Sequence, residues 1–128
     1  MTASFRIATR GSPLALVQAN EVRDRLAAAH PELAAPGAID IATYRTSGDR
    51  QQTGSLYAIG GKGLFTKEIE DALLAGKADI AVHSMKDVPT ILPYGLVMGA
   101  YLPREDPRDA FVAHTAMGLG DLPYGATV

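Results

Sequence analysis

A junction near the N-terminus carries residue types that bind anions. The run Arg10-Gly11-Ser12-Pro13 follows a β-prone stretch at residues 5–9, and Ser12-Pro13 is typical of a helix start with a serine cap. A guanidinium, a hydroxyl and the N–H groups of a helix N-terminus together can hold a carboxylate or a phosphate. The alternative is that Ser12 only caps the helix and Arg10 is solvated.

The run His83-Ser84-Met85-Lys86-Asp87 contains the residue types of a Ser-His-Asp triad. Neighbouring residues of a strand point to opposite faces, so a hydrogen bond between His83 and Ser84 is disfavoured. The run offers instead a hydroxyl, an ammonium and a carboxylate at the end of a predicted strand, where α/β sheets bind ligands. Pro89 restricts the residue before it and holds Asp87 on a defined loop. A solvated Lys86–Asp87 pair is the alternative.

Other familiar site patterns are excluded. Gly60-Gly61-Lys62-Gly63 lacks the Ser or Thr that follows the lysine of a phosphate-binding loop, and no dinucleotide-binding glycine pattern is present. The three histidines have no metal-ligand spacing, so no metal site is expected. The chain contains no cysteine, which excludes disulfides and a cysteine nucleophile within it.

The elements that must position these residues alternate between strand and helix. Residues 5–9 and 39–44 are predicted strands around a helix at residues 14–29, an order typical of a parallel βαβ unit. A second helix is predicted at residues 64–75, with an apolar stripe of Phe65, Ile69 and Leu73 and Gly76 as its stop. Further strands are predicted at three places: residues 79–83, 96–101 and 110–113.

Residues 45–63 differ from the rest of the chain. They are rich in glycine, serine and threonine and show no helical or strand period. Long connections of this kind are usually lids or binding loops, so we predict a mobile functional loop, with a tolerated insertion as the alternative.

Composition sets the broad class. The 128 residues carry a net charge of −2 and are 47% hydrophobic, which indicates a folded domain and argues against a nucleic-acid partner. The longest uncharged stretch, residues 88–103, is interrupted by prolines, so no membrane span is expected. Arg6 and Arg10 stand where a signal peptide would be apolar. We therefore expect a soluble cytoplasmic protein.

Five runs of the sequence resemble the porphobilinogen deaminase (hydroxymethylbilane synthase) family. In chain order they are RIATRGSPLAL from residue 6, TSGD from residue 46, GGKGLF from residue 60, ADIAVHSMKDVP from residue 78 and REDPRDAF from residue 104. The fourth run is the most specific. The resemblance implies a transferase of tetrapyrrole (haem) biosynthesis, which joins four porphobilinogen molecules into hydroxymethylbilane and releases ammonia at each step.

The resemblance also implies roles for residues. Asp87 matches the family's catalytic carboxylate, which stabilises positive charge on pyrrole nitrogens. Residues matching positions that bind substrate or cofactor are Arg10, Ser12, Asp49, Lys62, Ser84 and Lys86. The family builds its product on a dipyrromethane cofactor held by a cysteine thioether, and no such cysteine exists in this chain.

The family fold has α/β domains, of which the first two resemble the lobes of periplasmic binding proteins. We expect residues 1–101 to form the first lobe, with a mainly parallel sheet flanked by helices, and residues 102–128 to begin the second. The arginine-rich segment and the cofactor cysteine of the family would lie beyond residue 128. We therefore expect this chain alone to be inactive and prone to self-association, although family members are usually monomeric. A non-catalytic module that binds small polycarboxylates is the alternative function.

Overall fold

The first predicted strand is the centre of a parallel sheet. A computed structural model describes residues 4–50, 63–114 and 117–127, and in it this strand is β1 (Phe5–Arg10). β2 (Ile39–Tyr44) pairs with one edge of β1 and β3 (Ile80–Ala81) with the other, both in parallel, so the order is β2-β1-β3. The predicted βαβ unit and the α/β class are confirmed.

The core lies along β1. Ile7, Ala8 and Thr9 are fully buried, as expected for the central strand of a parallel sheet that is covered on both faces. Ile7 lies opposite Ile41 on β2 and opposite Ile80 on β3, so three isoleucines share one row across the sheet. This row fixes the register, because a slip of one residue would turn each side chain to the other face.

Helix α1 (Pro13–Ala29) begins where its sequence predicts. Ser12 is the N-cap and its hydroxyl accepts a hydrogen bond from the N–H of Ala15 at 3.3 Å, while Pro13 occupies the first turn. The helix ends at Ala29, before the proline at position 31. Only Ala19 of this helix is buried, and the other residues are partly or fully exposed.

The second long helix is shorter than predicted. Residues 63–66 form a turn, closed by a hydrogen bond from the N–H of Thr66 to the Gly63 carbonyl, and the helix runs over Lys67–Leu74. Gly63 has a φ of +76°, a left-handed conformation that interrupts a helix and favours glycine. The predicted stop is confirmed: Gly76 has a φ of +66°, and its N–H binds the Leu73 carbonyl.

Two predicted strands are wrong and a third is shorter than predicted. β3 has two residues rather than the five of residues 79–83, although Asp79 and Val82 still donate backbone hydrogen bonds to β1. Residues 96–101 and 110–113 form no strand. Their apolar composition suits a strand, but a strand also needs a neighbour for its backbone groups, and none pairs with them in the part of the chain described.

The predicted loop at residues 45–63 contains a helical turn. Ser47–Arg50 forms the short helix α2, and Lys67–Leu74 is accordingly α3. Ser47 donates a hydrogen bond of 2.5 Å to Glu68 of α3, and Arg50 donates one of 2.6 Å to the same carboxylate oxygen. Residues 51–62, and with them the site residue Lys62, lie outside the described residues.

The chain divides into two compact units, Met1–Val97 and Met98–Val128. The described residues of the second unit contain one 3₁₀ turn, Leu119–Asp121, and carry exposed apolar side chains such as Val112. The lobe boundary at residue 101 and self-association through such side chains stay predictions. No helix among the described residues is long and apolar enough to cross a membrane.

Candidate functional site

The order of the strands determines where a ligand crevice opens. The chain leaves β1 toward β2 on one side and returns past β1 to β3 on the other. At such a switch point the two connections diverge, and a crevice forms at the carboxyl ends of the adjacent strands. Here these are the ends of β1, which leads to Arg10 and Ser12, and of β3, which leads to His83 and Asp87.

A cavity of about 340 Å³ lies at this crevice. It brings together residues of both polar runs that the sequence singles out, Arg10–Pro13 and His83–Asp87, although 69 residues lie between the runs. The lining residues are Arg10, Ser12, Leu14, Ala15, Gln18, Phe65, Val82, His83, Ser84, Lys86 and Asp87. Five of the seven site residues predicted from the sequence therefore share one cavity.

Asp49 is not among the residues that line this cavity, but it contacts Arg10, which is. Its carboxylate accepts hydrogen bonds from Arg10 Nε at 3.1 Å and from Arg10 Nη2, and the two residues form a mostly buried ion pair. The other carboxylate oxygen accepts from the N–H and the hydroxyl of Thr46, at 3.0 and 2.7 Å. Because all these partners belong to the protein, we interpret Asp49 as a residue that positions Arg10.

The same contacts keep Asp49 ionised. The hydrogen bond from Arg10 is the main cause that lowers the pKa of Asp49 from 3.8 to about 2, and the bonds from Thr46 add to it. The carboxylate in turn raises the pKa of Arg10. Both groups are therefore charged throughout the physiological range.

Replacing Asp49 by Asn tests this ion pair through the pH dependence of stability. A carboxyl pKa lowered from 3.8 to about 2 in the folded state stabilises the native protein by about 2 kcal/mol at neutral pH. The stabilisation is complete above about pH 5, well above the unfolded pKa of 3.8. It is lost as pH falls through the folded pKa of about 2, and it vanishes near pH 1, where the group is protonated in both states. We expect denaturant unfolding to show wild type more stable than Asp49→Asn at pH 6, with a difference that shrinks from about pH 5 and is mostly gone at about pH 2.

Asp40→Asn is the matched control for this experiment, because Asp40 is an exposed carboxylate on β2. Its unfolding free energy should follow that of wild type at every pH. A difference between wild type and Asp49→Asn that stays constant from pH 6 to pH 2 would contradict the ion pair.

Arg10 is held between two carboxylates and an aromatic ring. Its Nη1 lies 3.5 Å from Asp87 Oδ2, a longer contact than those to Asp49. Its guanidinium carbon lies 4.3 Å from the centroid of the Phe65 ring, within cation–π distance. The Arg10 charge is thus shared among three protein groups, of which Asp87 is the more distant carboxylate.

Phe65 reaches this position because of two glycines. The turn at Gly63 removes Phe65 from α3, so the ring faces Arg10 and lines the cavity rather than extending the apolar stripe. A Cβ at Gly48 would lie 2.6 Å from Phe65 Cδ1, closer than atoms can pack, so only glycine lets the ring lie there. The prediction that Phe65 belongs to the buried stripe of a helix is therefore wrong.

The two serines of the cavity are oriented by α1. The Ser12 hydroxyl accepts a hydrogen bond from the N–H of Ala15, which leaves its own proton available to the cavity. The Ser84 hydroxyl donates a hydrogen bond of 3.1 Å to Gln18 Oε1. Because Ser84 donates its proton to Gln18, it is not paired with His83, as the sequence analysis expects. Gln18, which the sequence did not single out, therefore belongs to the site.

His83 and Lys86 differ in their exposure to solvent. Lys86 is exposed at the rim, on the 3₁₀ turn Met85–Asp87, and can turn toward a bound anion. His83 is half-buried; burial is the main cause that lowers its pKa, Arg10 lowers it further and Asp87 opposes the shift. No cluster of metal-ligating side chains exists in the described ranges 4–50, 63–114 and 117–127.

The amino-acid sequence is similar to one protein family and to named proteins of plants and bacteria. A family model described as "Porphobilinogen deaminase, dipyromethane cofactor binding domain" matches residues 5–128. A protein of Oryza sativa subsp. japonica named "Porphobilinogen deaminase, chloroplastic" is 62% identical over 124 residues, which cover 97% of this chain and 35% of the rice protein. A Nitrobacter winogradskyi protein named "Porphobilinogen deaminase" is 64% identical over 122 residues, or 95% of this chain and 38% of that protein. The chain thus spans about a third of the length of these relatives.

Proposed function

This chain belongs to the porphobilinogen deaminase family, and we propose that it supplies the catalytic half of the active site in an enzyme that condenses porphobilinogen into hydroxymethylbilane. One observation carries the proposal: Asp87, ion-paired with Arg10, lies at the wall of a cavity that also presents hydroxyl, ammonium and aromatic groups. This is the set of groups that a pyrrole with carboxylate arms requires.

Asp87 acts on the charge that develops during the reaction. Loss of ammonia from the aminomethyl group of porphobilinogen leaves an electron-poor azafulvene, and positive charge develops on the ring nitrogen. A carboxylate within hydrogen-bond distance of that nitrogen stabilises the charge and can hold its proton. The ion pair with Arg10 keeps the Asp87 carboxylate oriented before the substrate arrives, so little reorganisation is needed in the transition state.

The carboxylate arms of the substrate need donors around Asp87. Lys86 offers an exposed ammonium, and Ser12 and Ser84 offer hydroxyl groups at the cavity wall. Arg10 has both its Nε and an Nη occupied by Asp49, so it offers a substrate carboxylate only its remaining N–H groups. We assign Arg10 chiefly to positioning Asp87, and Lys86 to binding the arms. A role for Lys62 in binding also stays a prediction.

A dipyrromethane fits the groups of this cavity, apart from its covalent anchor. Phe65 presents a ring face for a pyrrole, Asp87 an acceptor for ring N–H groups, and Lys86 a cation for carboxylate arms. When bound, the group supplies the terminal pyrrole whose free α-carbon accepts the incoming unit. The thioether must come from elsewhere, because these 128 residues contain no cysteine.

A chimera tests the proposed function. Residues 1–128 are joined to the part of the Nitrobacter winogradskyi protein that follows its matched region, so that the cavity is completed by a relative that is 64% identical in this third. We expect the chimera to consume porphobilinogen and to form hydroxymethylbilane with release of ammonia. A folded chimera that binds porphobilinogen without consuming it would instead support the alternative of a polycarboxylate-binding module. Cytoplasmic location and a monomeric state stay predictions.

A further inference from the structure

His83 is a titratable side chain of the cavity to which the proposed reaction assigns no task. It lies two residues after the end of β3 and four positions before Asp87, and it lines the same cavity as Asp87. No hydrogen bond joins its ring nitrogens to another described residue, and burial is the main cause that lowers its pKa. A half-buried imidazole that makes no hydrogen bond within the part of the chain described, and that lines the same cavity as Asp87, is in a position to exchange a proton with a bound molecule.

The surroundings of His83 favour its neutral form. Asp87 and Lys86 face the cavity from the 3₁₀ turn, Arg10 faces it from β1 with Asp49 behind it, and α1 contributes uncharged groups. Burial and the Arg10 cation lower the pKa of His83 below 6.5, against the opposing effect of Asp87. The ring therefore carries a free lone pair at pH 7 and can act as a base.

We propose that His83 accepts the proton that the acceptor pyrrole loses after the new carbon–carbon bond has formed. This inference rests on the proposed function. The α-carbon–hydrogen bond breaks, its electron pair returns to the ring, and the proton moves to the free ring nitrogen of His83. His83 then gives it to the ammonia released in the same cycle, which leaves as ammonium, so that protons and charge balance. Asp87, ion-paired with Arg10, remains the partner of the ring nitrogens.

Two variants of the chimera test this role. His83→Gln keeps a polar side chain of similar size but cannot carry a proton, and His83→Gly leaves space for added imidazole. We expect both to lower kcat by about 10²–10⁴-fold, the usual contribution of a general base, with KM changed less than threefold. Imidazole should restore the activity of His83→Gly in a saturable manner and should not restore that of His83→Gln. His30→Gly, at the exposed end of α1, is the control and should match wild type.

These kinetic results also define what would overturn the inference. A folded His83→Gln with kcat within threefold of wild type and an unchanged pH profile would remove His83 from the reaction. So would a folded His83→Gly whose lowered kcat does not respond to imidazole, because a purely structural role is not rescued by a free base. If His83→Gly does not fold, the kcat and the pH profile of His83→Gln decide whether His83 takes part in the reaction.

A spectroscopic measurement does not depend on turnover. In the chimera labelled with ¹⁵N-histidine, the ring nitrogens of His83 should show the neutral form at pH 7 and should shift when porphobilinogen is added, whereas those of His30 should not. A His83 ring that is charged at pH 7, or that does not respond to bound porphobilinogen, would refute the inference. An inactive wild-type chimera whose His83 still responds would refute the proposed function and leave the placement of His83 intact.

Discussion

Asp87→Asn in the chimera should lower turnover by about 10²–10³-fold, the cost of removing one preorganised electrostatic group from an active site. Asn retains the shape of the side chain and loses its charge, so it no longer stabilises the positive charge on the pyrrole nitrogen. The measurement is the initial rate of hydroxymethylbilane formation at saturating porphobilinogen. Because the charge acts on the transition state, kcat should fall more than KM rises.

The fold should tolerate this change. Asp87 contacts Arg10 at 3.5 Å, while the shorter hydrogen bonds of Arg10 are made to Asp49, so Arg10 keeps its main partner. Circular dichroism and the unfolding midpoint of Asp87→Asn should therefore match those of wild type. Asp24→Asn, at an exposed position of α1, is the control and should retain full activity. If Asp87→Asn turned over near the wild-type rate, Asp87 would have no place in the mechanism.

The polypeptide of residues 1–128 alone should form no hydroxymethylbilane, even when folded. It spans about a third of the length of its relatives and contains no cysteine that could hold the acceptor pyrrole. Catalysis of this kind depends on holding two rings in attack geometry, which can be worth about 10⁵ M or more in effective concentration. A cavity wall without a counterpart of the part that lies outside the match in these relatives does not provide that geometry.

The assay uses the purified chain, shown by circular dichroism to be folded, with porphobilinogen at the concentration that saturates the chimera. The chimera assayed in parallel is the positive control. Turnover that copurifies with the 128-residue chain and disappears on Asp87→Asn would show that residues 1–128 are sufficient for the reaction and would contradict this prediction.

Local sequence signals were sufficient for β1, α1 and β2 and for the end of α3. Ser12-Pro13 and Gly76 begin and end helices through their own backbone preferences, which require no distant partner. The position of Asp87 after a β-prone run was enough to place it at the carboxyl end of a strand. Family resemblance added the reaction, because its most specific run, beginning at residue 78, includes this position.

Tertiary structure decided which residues meet. Arg10 and Asp49 are 39 positions apart in the sequence, and Arg10 and Asp87 are 77 apart. Helical and strand periodicity relate only residues that are near each other in the chain, so these patterns do not predict either ion pair. Phe65 lies outside α3 because Gly63 adopts a left-handed conformation before it, and its ring has room because residue 48 is a glycine. The strands predicted at residues 96–101 and 110–113 failed because apolar composition is a local property, whereas a strand exists only beside a neighbour that pairs with its backbone.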